Sequence, residues 1–367
     1  MEDVQEGQHQ RRLRQPRRQY KRNNYFEIYN DEEFCQRFRL TKTQTFEVLA
    51  QIEHRIVQVN KNDAAVTPTI QLLVTLRFYA TACFLQVVSD FIGMCTTTAQ
   101  IIVHRVSLAI VSELFHKYIK LPKREKEMLH VMTENFKISG MIRVIGSIDC
   151  VHVRIQSYGG DDAELWRCRK GFMSINVQCL VNSNLEIMDI VARWPGSTHD
   201  STIFANSRLK QRFDNFECDN GVILGDRGYP NQRYLITPLA NPTTPAEVLF
   251  NEAHIRTRCM VERCFGSWGR MFPVSSGKYG TRFQTPERTI NVILASAILY
   301  NITRRDKRKI PQGLEPYLNI PETHEAPCTD DRQHLIEEYF SRYNIFMNNH
   351  NSYIIINMYT GDPQSQM

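Results

Sequence analysis

The chain reads as a mixed α/β sheet covered by helices on both faces and preceded by an all-helical block. Three observations carry that reading. Apolar residues recur at three-to-four spacing over 31–58 and 67–119, the period of helices with one buried face. From residue 143 the rhythm changes to short β-branched runs, at 143–155, 174–182 and 187–194. Helical stretches then alternate with further short apolar runs, as expected of a sheet with helices packed over it.

Each element follows from local chemistry. Residues 1–24 are polar and basic and are expected to be disordered. Thr67-Pro68 marks a helix start, a hydroxyl cap followed by proline in the first turn. The stretch 85–110, LQVVSDFIGMCTTTAQIIVHRVSLAI, reads as a short helix, a turn opened by Gly93, and a second helix carrying Gln100, His104 and Arg105. That is a helix-turn-helix-like shape, whose second helix can enter a major groove, and a plain packing hairpin has the same pattern. A polar insert covers 156–173, and the turn WPGSTHD leads into a helix over about 200–213. GVILGD (221–226) and YLITPL (234–239) read as strands, 246–270 as a long helix and 288–303 as a last apolar helix. Beyond 310 only a short helix at 332–343 is expected.

Bulk composition narrows the classes. The chain has 367 residues and 42% hydrophobic content, enough for a packed core. No membrane span is expected, and the polar start MEDVQEGQHQ predicts residence in the cytosol or nucleus. Ten cysteines occur without a C-x-x-C pair or finger spacing to histidine, so they read as reduced thiols rather than a zinc site. Net charge is +6, concentrated in RRLRQPRRQYKR (11–22) and RRDKRK (304–309). Such runs read either as solvated tails or as phosphate-binding arms and nuclear-import signals.

Four acids stand out. Asp149 interrupts the apolar run VIGSIDCVHVRI, where an ionised carboxylate is costly unless paired or bound to metal; Arg154 and Arg193 are candidate partners. Asp226 closes GVILGD at a strand's carboxyl end, where open α/β sheets place their sites, although Asp-Gly chemistry also favours a plain turn. Glu262 lies in the helix NEAHIRTRCMVERCFGSW, with Arg258 at i−4 offering a surface salt bridge instead. Asp200, in PGSTHDSTIF, fits a Ser197-x-x-Asp200 capping box or a cleft acid. Two carboxylates at strands and one on a later helix is how a ribonuclease-H-like fold builds a divalent-metal site. Crowded carboxylates repel, and Mg²⁺ or Mn²⁺ offsets that repulsion with oxygen ligands. Two such ions can cut phosphodiester bonds with no protein nucleophile. Arg167, Arg169 and Lys170 in WRCRKGF, and Arg258 beside Glu262, are the expected contacts to a nucleic-acid backbone. No G-x-S-x-G, P-loop or dinucleotide fingerprint occurs.

With those residues placed, the chain resembles the PIF/Harbinger transposase family and its host-domesticated relatives, the Harbinger transposase-derived nucleases. GSIDCVHVRI, RKGFMSINVQCLV, DIVARWPGSTHDSTIF, ILGDRGYP, LITPLANP and FNEAHIRTRCMVERCFG carry the resemblance in family order over 146–266. It implies a DDE-type, divalent-metal-dependent DNA nuclease with catalytic acids at Asp149, Asp226 and Glu262 and Asp200 as a further metal-site acid. It also implies a Myb/SANT-like accessory protein as partner. The division expected is a basic arm (1–24), a helix-turn-helix-like region (25–140), a DDE nuclease domain (141–305) and a C-terminal tail (306–367). The alternative is a domesticated nuclear DNA-binding or scaffold protein without catalysis. Oligomeric state is left open, a homo-oligomer included.

Overall fold

The structure is a computed structural model that describes residues 23–57, 66–218, 221–283, 285–306 and 331–341. All but the last two residues of the arm expected at 1–24 lie outside these, as does most of the tail expected at 306–367. Seven helices come first: α1 (Tyr25–Ile28), α2 (Asp31–Phe38), α3 (Lys42–Ile56), α4 (Pro68–Thr81), α5 (Leu85–Ile92), α6 (Thr96–Tyr118) and α7 (Glu125–Ser139). Their ends obey local rules. Asn30 with Glu33 and Thr41 with Gln44 form reciprocal capping boxes, and Thr67 accepts from the Ile70 amide with Pro68 in the first turn. Gly93 ends α5 and Gly140 ends α7, both with the left-handed backbone that glycine takes without strain. The sequence pattern singles out no separate helix over α7 within the block expected at 25–140; its inward row, Met128, Val131, Met132 and Phe136, packs on the cores with only Met128 and Asn135 fully buried.

The helix-turn-helix shape is present in α5 and α6, but α6 is the central helix of the block. It packs against α3, α4, α5 and α11 through Ile102, Val103, Val106, Ile110 and Leu114. The outward positions include Ile101 and Leu108, which are apolar. Gln100, His104 and Arg105 are all half-buried, and Arg105 is tied to buried Gln71 of α4. By length and composition α6 is also apolar enough to cross a membrane; here it is a core helix.

The second half runs β1 (Val144–Arg154), β2 (Ser174–Val181), β3 (Ile187–Pro195), α8 (Asp200–Ala205), α9 (Arg208–Asp214), β4 (Val222–Leu224), β5 (Leu235–Ile236), α10 (Pro245–Met271) and α11 (Pro286–Arg305). A last helix, α12 (Asp331–Leu335), leads into a π turn (Ile336–Phe340). The sheet order is β3-β2-β1-β4-β5. β1, β2 and β3 pair antiparallel, while β4 pairs parallel with β1 and β5. This is the ribonuclease-H-like arrangement. Three expectations are trimmed, the first being the strand foreseen over 221–226, which is the three residues of β4. The helix foreseen over 200–213 breaks at Asn206, with Ser207 capping α9, and the strand foreseen over 234–239 is two residues long.

A large apolar core runs from Phe34 and Phe38 through α6 and α11 to Val153 and Val177 in the sheet and Trp268 in α10. A smaller one lies under α8 and α9, around Ile145, Leu180, Phe204 and Phe213. The sheet is therefore covered on both faces. Arg304 and Arg305, from the second basic run, are used in this packing. Arg304 donates to the Asn184 carbonyl (3.0 and 2.8 Å), and Arg305 to the carbonyls of Lys117 (3.1 Å) and Tyr118 (2.9 Å).

Burial pushes the Asp189 carboxyl of β3 from 3.8 up to about 6, against the opposing pull of Arg212 and Arg208. A carboxyl raised in the fold favours its protonated form. The cost to stability is absent below pH 3.8, grows as pH rises, and is complete above about 6. Asp189→Asn is therefore expected to raise unfolding free energy at pH 8, by at most about 3 kcal/mol, since each tenfold change in proton affinity is worth about 1.4 kcal/mol. The gain should vanish near pH 3.5 on the same relation. Denaturant unfolding at both pH values checks this, and an equal effect at both would contradict it.

Candidate active site

β1 brings Asp149 to the middle of the sheet, level with Cys179 of β2 and Ile190 of β3. Neighbouring strand residues point to opposite faces. Asp149 faces α10, and Cys150 faces the α8 side. The Asp149 side chain is 17% exposed and meets the guanidinium of Arg258 at 3.3 Å. Neither Arg154 nor Arg193 is its partner: Arg154 bonds the Gly277 carbonyl and lies over Phe172, while Arg193 bonds the Asn206 carbonyl.

Arg258 also holds Glu262, one helical turn along α10, at 2.6 Å. The i,i+4 salt bridge foreseen for Glu262 thus exists, but it is half-buried and reaches across to β1. One guanidinium joins two of the three expected catalytic acids. Arg258, expected at a nucleic-acid backbone, is instead committed to carboxylates.

Asp226 sits just beyond the carboxyl end of β4, where its Oδ1 accepts from the Gly228 amide at 2.9 Å, an Asx turn. Turn chemistry and cleft position coexist. Burial raises its carboxyl, the Gly228 amide and Arg258 pull it back, and Asp200 adds to the rise. Burial first, and then the nearby Asp226 charge, push Asp149 from 3.8 up to about 7, with Arg258 opposing. Asp149 and Asp226 therefore feel one another and share Arg258.

Asp200 begins α8 and accepts from Asn176 Nδ2 at 2.9 Å. The capping box expected with Ser197 does not form, because His199 is the residue before the helix and no side chain caps it. Asp200 belongs to a polar row that the sequence motifs do not single out. Ser174, Asn176 and Gln178 line one face of β2, all buried. Ser174 meets His152 (3.1 Å), Asn176 meets Asp200, and Gln178 donates to the Tyr229 hydroxyl (3.1 Å) and the Asp200 carbonyl (3.3 Å). The signal was present as every-second-residue polarity in SINVQCLV, a strand otherwise apolar. Tyr229 and Cys150 complete this side 3.4 Å apart, both raised well above their ordinary values by burial.

The basic insert divides. Arg167 is paired with Glu164 at 2.7 Å and with the Gly171 carbonyl. Arg169 and Lys170 are exposed and form no ion pair among the described residues. Arg169 is close enough to lower the Asp226 carboxyl, and both lower the His152 imidazole. These two remain available beside the acids.

The donors fit a hard divalent cation in kind, since they are carboxylate oxygens whose mutual repulsion a dication would relieve. They are not gathered for one as they stand. Among the described residues no three His, Cys, Asp or Glu side chains converge closely enough to hold an ion, and Arg258 supplies the positive charge between Asp149 and Glu262.

Removing that charge has a defined consequence. Arg258→Ala is expected to move the Asp149 carboxyl above about 7, because the opposing cation is lost while burial and Asp226 remain. Carboxyl NMR titration of selectively labelled aspartates measures this, and an unchanged or lower Asp149 value would contradict it.

Comparison with known proteins gives the family. A family model described as DDE superfamily endonuclease matches residues 148–301. The chain is 30% identical over 239 residues to "Putative nuclease HARBI1" of Homo sapiens, covering 65% of this chain and 68% of that protein. The Rattus norvegicus protein of the same name is 32% identical over 241 residues, with 65% and 68% covered. "Protein ALP1-like" of Arabidopsis thaliana is 25% identical over 199 residues, covering 50% of this chain and 48% of that one. No solved structure matches. The chain belongs to the Harbinger transposase-derived family of DDE superfamily nucleases.

Proposed function

We propose that this protein is a divalent-metal-dependent DNA nuclease in which Asp149, Asp226 and Glu262 are the catalytic acids and Asp200 assists. The observation that carries this reading is one buried guanidinium, Arg258, bonded to Asp149 of β1 and Glu262 of α10, with Asp226 at the end of β4 near enough that its charge, after burial, pushes Asp149 up to about 7. A structural ion pair needs one acid; several crowded here keep a carboxyl at the edge of ionisation at neutral pH, a feature of functional sites. Asp149, Asp226 and Glu262 would hold Mg²⁺ or Mn²⁺, with Asp200 beside them. When bound, the ions would supply activation of a water or 3′-hydroxyl and stabilise the leaving oxygen.

The chain's own residues have distinct parts in this proposal. Arg169 and Lys170 hold a phosphate of the DNA next to the acids, and Arg258 keeps Asp149 and Glu262 facing one another. Asn176 and Gln178 fix Asp200 and the start of α8. The same proposal covers a nuclear location, a Myb/SANT-like partner and the division of the chain near 140.

Asp149→Ala, Asp226→Ala and Glu262→Ala are each expected to lower Mg²⁺- or Mn²⁺-dependent cleavage of DNA by more than the roughly 10–100-fold lost with an outer partner of a metal site. Gel-based cleavage by the purified full chain checks this. Equal cleavage by the variants would sink the assignment. Absence of cleavage by the unaltered chain in either metal would favour the non-catalytic scaffold reading.

A further inference from the structure

Away from the acids, the sheet ends in an open strand. β3 pairs only with β2, and it stands at the edge of the sheet. Its first residue is closed off: Asn301 of α11 accepts from the Ile187 amide (2.9 Å) and donates to the Ile187 carbonyl (2.7 Å). Past that point no backbone hydrogen bond joins Met188–Trp194 to any element but β2 among the described residues. A cavity of about 1170 Å³ runs along Met188–Arg193, including residues from both faces of the strand. At ~3.3 Å per residue that is an opening on the order of 20 Å long.

The lining has two parts. The floor is apolar, with Leu121, Ile190, Val191, Ala192 and Leu294. The rim is basic: Lys120, Lys123, Arg124, Arg193 and Arg208 are all exposed and lie in no ion pair among the described residues. Three acids also line it. Glu217 is bound to Arg212, Asp189 sits beside Arg208 and Arg212, and Glu127 accepts from the Lys123 amide. Unpaired strand edges invite another strand, and proteins protect them with charge. Five like charges repel a second copy of this same edge, so another copy of the chain is a poor occupant. A phosphodiester backbone would match the rim but not the apolar floor or the row of free amides and carbonyls.

We propose that the β3 edge is a docking site for an extended peptide segment of a partner protein, bearing alternating acidic and apolar side chains and adding to the sheet as a sixth strand. Main-chain bonds to β3 supply the affinity, the floor takes the apolar side chains, and the rim selects acidic ones. This stands apart from the nuclease reading, since the groove lies two strands from β1, on the side away from β4.

Fluorescence anisotropy with the full chain tests it. The probes are a labelled peptide of alternating glutamate and valine, its lysine–valine counterpart, a form N-methylated at alternate amides, and a single-stranded oligothymidine. The glutamate–valine peptide is expected to bind and to protect the amides of 188–193 from hydrogen exchange. Lysine replacement or N-methylation should weaken it by at least roughly tenfold, as should Arg193→Glu with Arg208→Glu. The milder pair Arg193→Gln and Arg208→Gln should weaken it in the same direction if the double reversal disturbs folding. DNA cleavage should be unchanged in both. Absence of peptide binding, or binding indifferent to N-methylation, would overturn the proposal. Tight oligothymidine binding lost in the same variants, without peptide binding, would make the groove a nucleic-acid site instead.

Discussion

Arg258 is the point on which the arrangement of the acids depends. Its side chain is 17% exposed, and its guanidinium lies between a carboxylate on β1 and one on its own helix, α10. Burying one charge is costly, and burying two like charges together is worse, so Asp149 and Asp226 need a cation among them. Arg258 meets that need while fixing the rotation of α10 over the sheet: turned by one residue, α10 would present neither Arg258 nor Glu262 to β1. The long helix and the central strand are therefore matched by electrostatics as well as by packing, with Val261, Cys264 and Trp268 of α10 buried. Breaking such a buried pair from one side costs more than an exposed salt bridge contributes, because an uncompensated charge remains.

The acids themselves were legible in the sequence, and for a physical reason. Asp149 is conspicuous because it sits between Ile148 and Cys150 in a mostly apolar run, and Asp226 because it closes the apolar run GVIL. What sequence could not supply was partnership. Arg154 and Arg193 were as near along the chain or across the sheet as any candidate, yet Asp149 is held by a residue 109 positions away. The same limit explains Arg304 and Arg305, which look like part of a solvated basic run but close helix and strand ends. It also bears on α7, where Asn135 bonds the carbonyls of Val144 and Ile145 beside the partly buried row of Met128, Val131 and Met132. The succession of strands and helices along the chain and the helix over 246–270 were readable because they rest on periodicity. The break between α8 and α9, and the two-residue β5, rest on individual turns and were not.

The sheet divides the labour between its faces and edges. One face carries the guanidinium-bridged acids under α10. The other carries the buried row Ser174, Asn176 and Gln178, which aims Asp200 from α8 toward the same end of the sheet. Asp226, at the end of β4, responds to charges from both sides, Arg258 on one and Asp200 on the other. Catalysis, as proposed, would sit where these sides meet, and the β3 edge, two strands out, is left free for recognition without crowding the substrate path.

The central claim is that Asp149, Asp226 and Glu262 form one site for divalent cations. Anomalous diffraction from crystals of the full chain grown with Mn²⁺ tests it most directly. The expected result is manganese density bounded by the carboxylates of Asp149, Asp226 and Glu262, with the Arg258 guanidinium withdrawn from at least one of its two partners. Saturating Mn²⁺ that leaves Arg258 bridging Asp149 and Glu262, with manganese density elsewhere or nowhere, would contradict it.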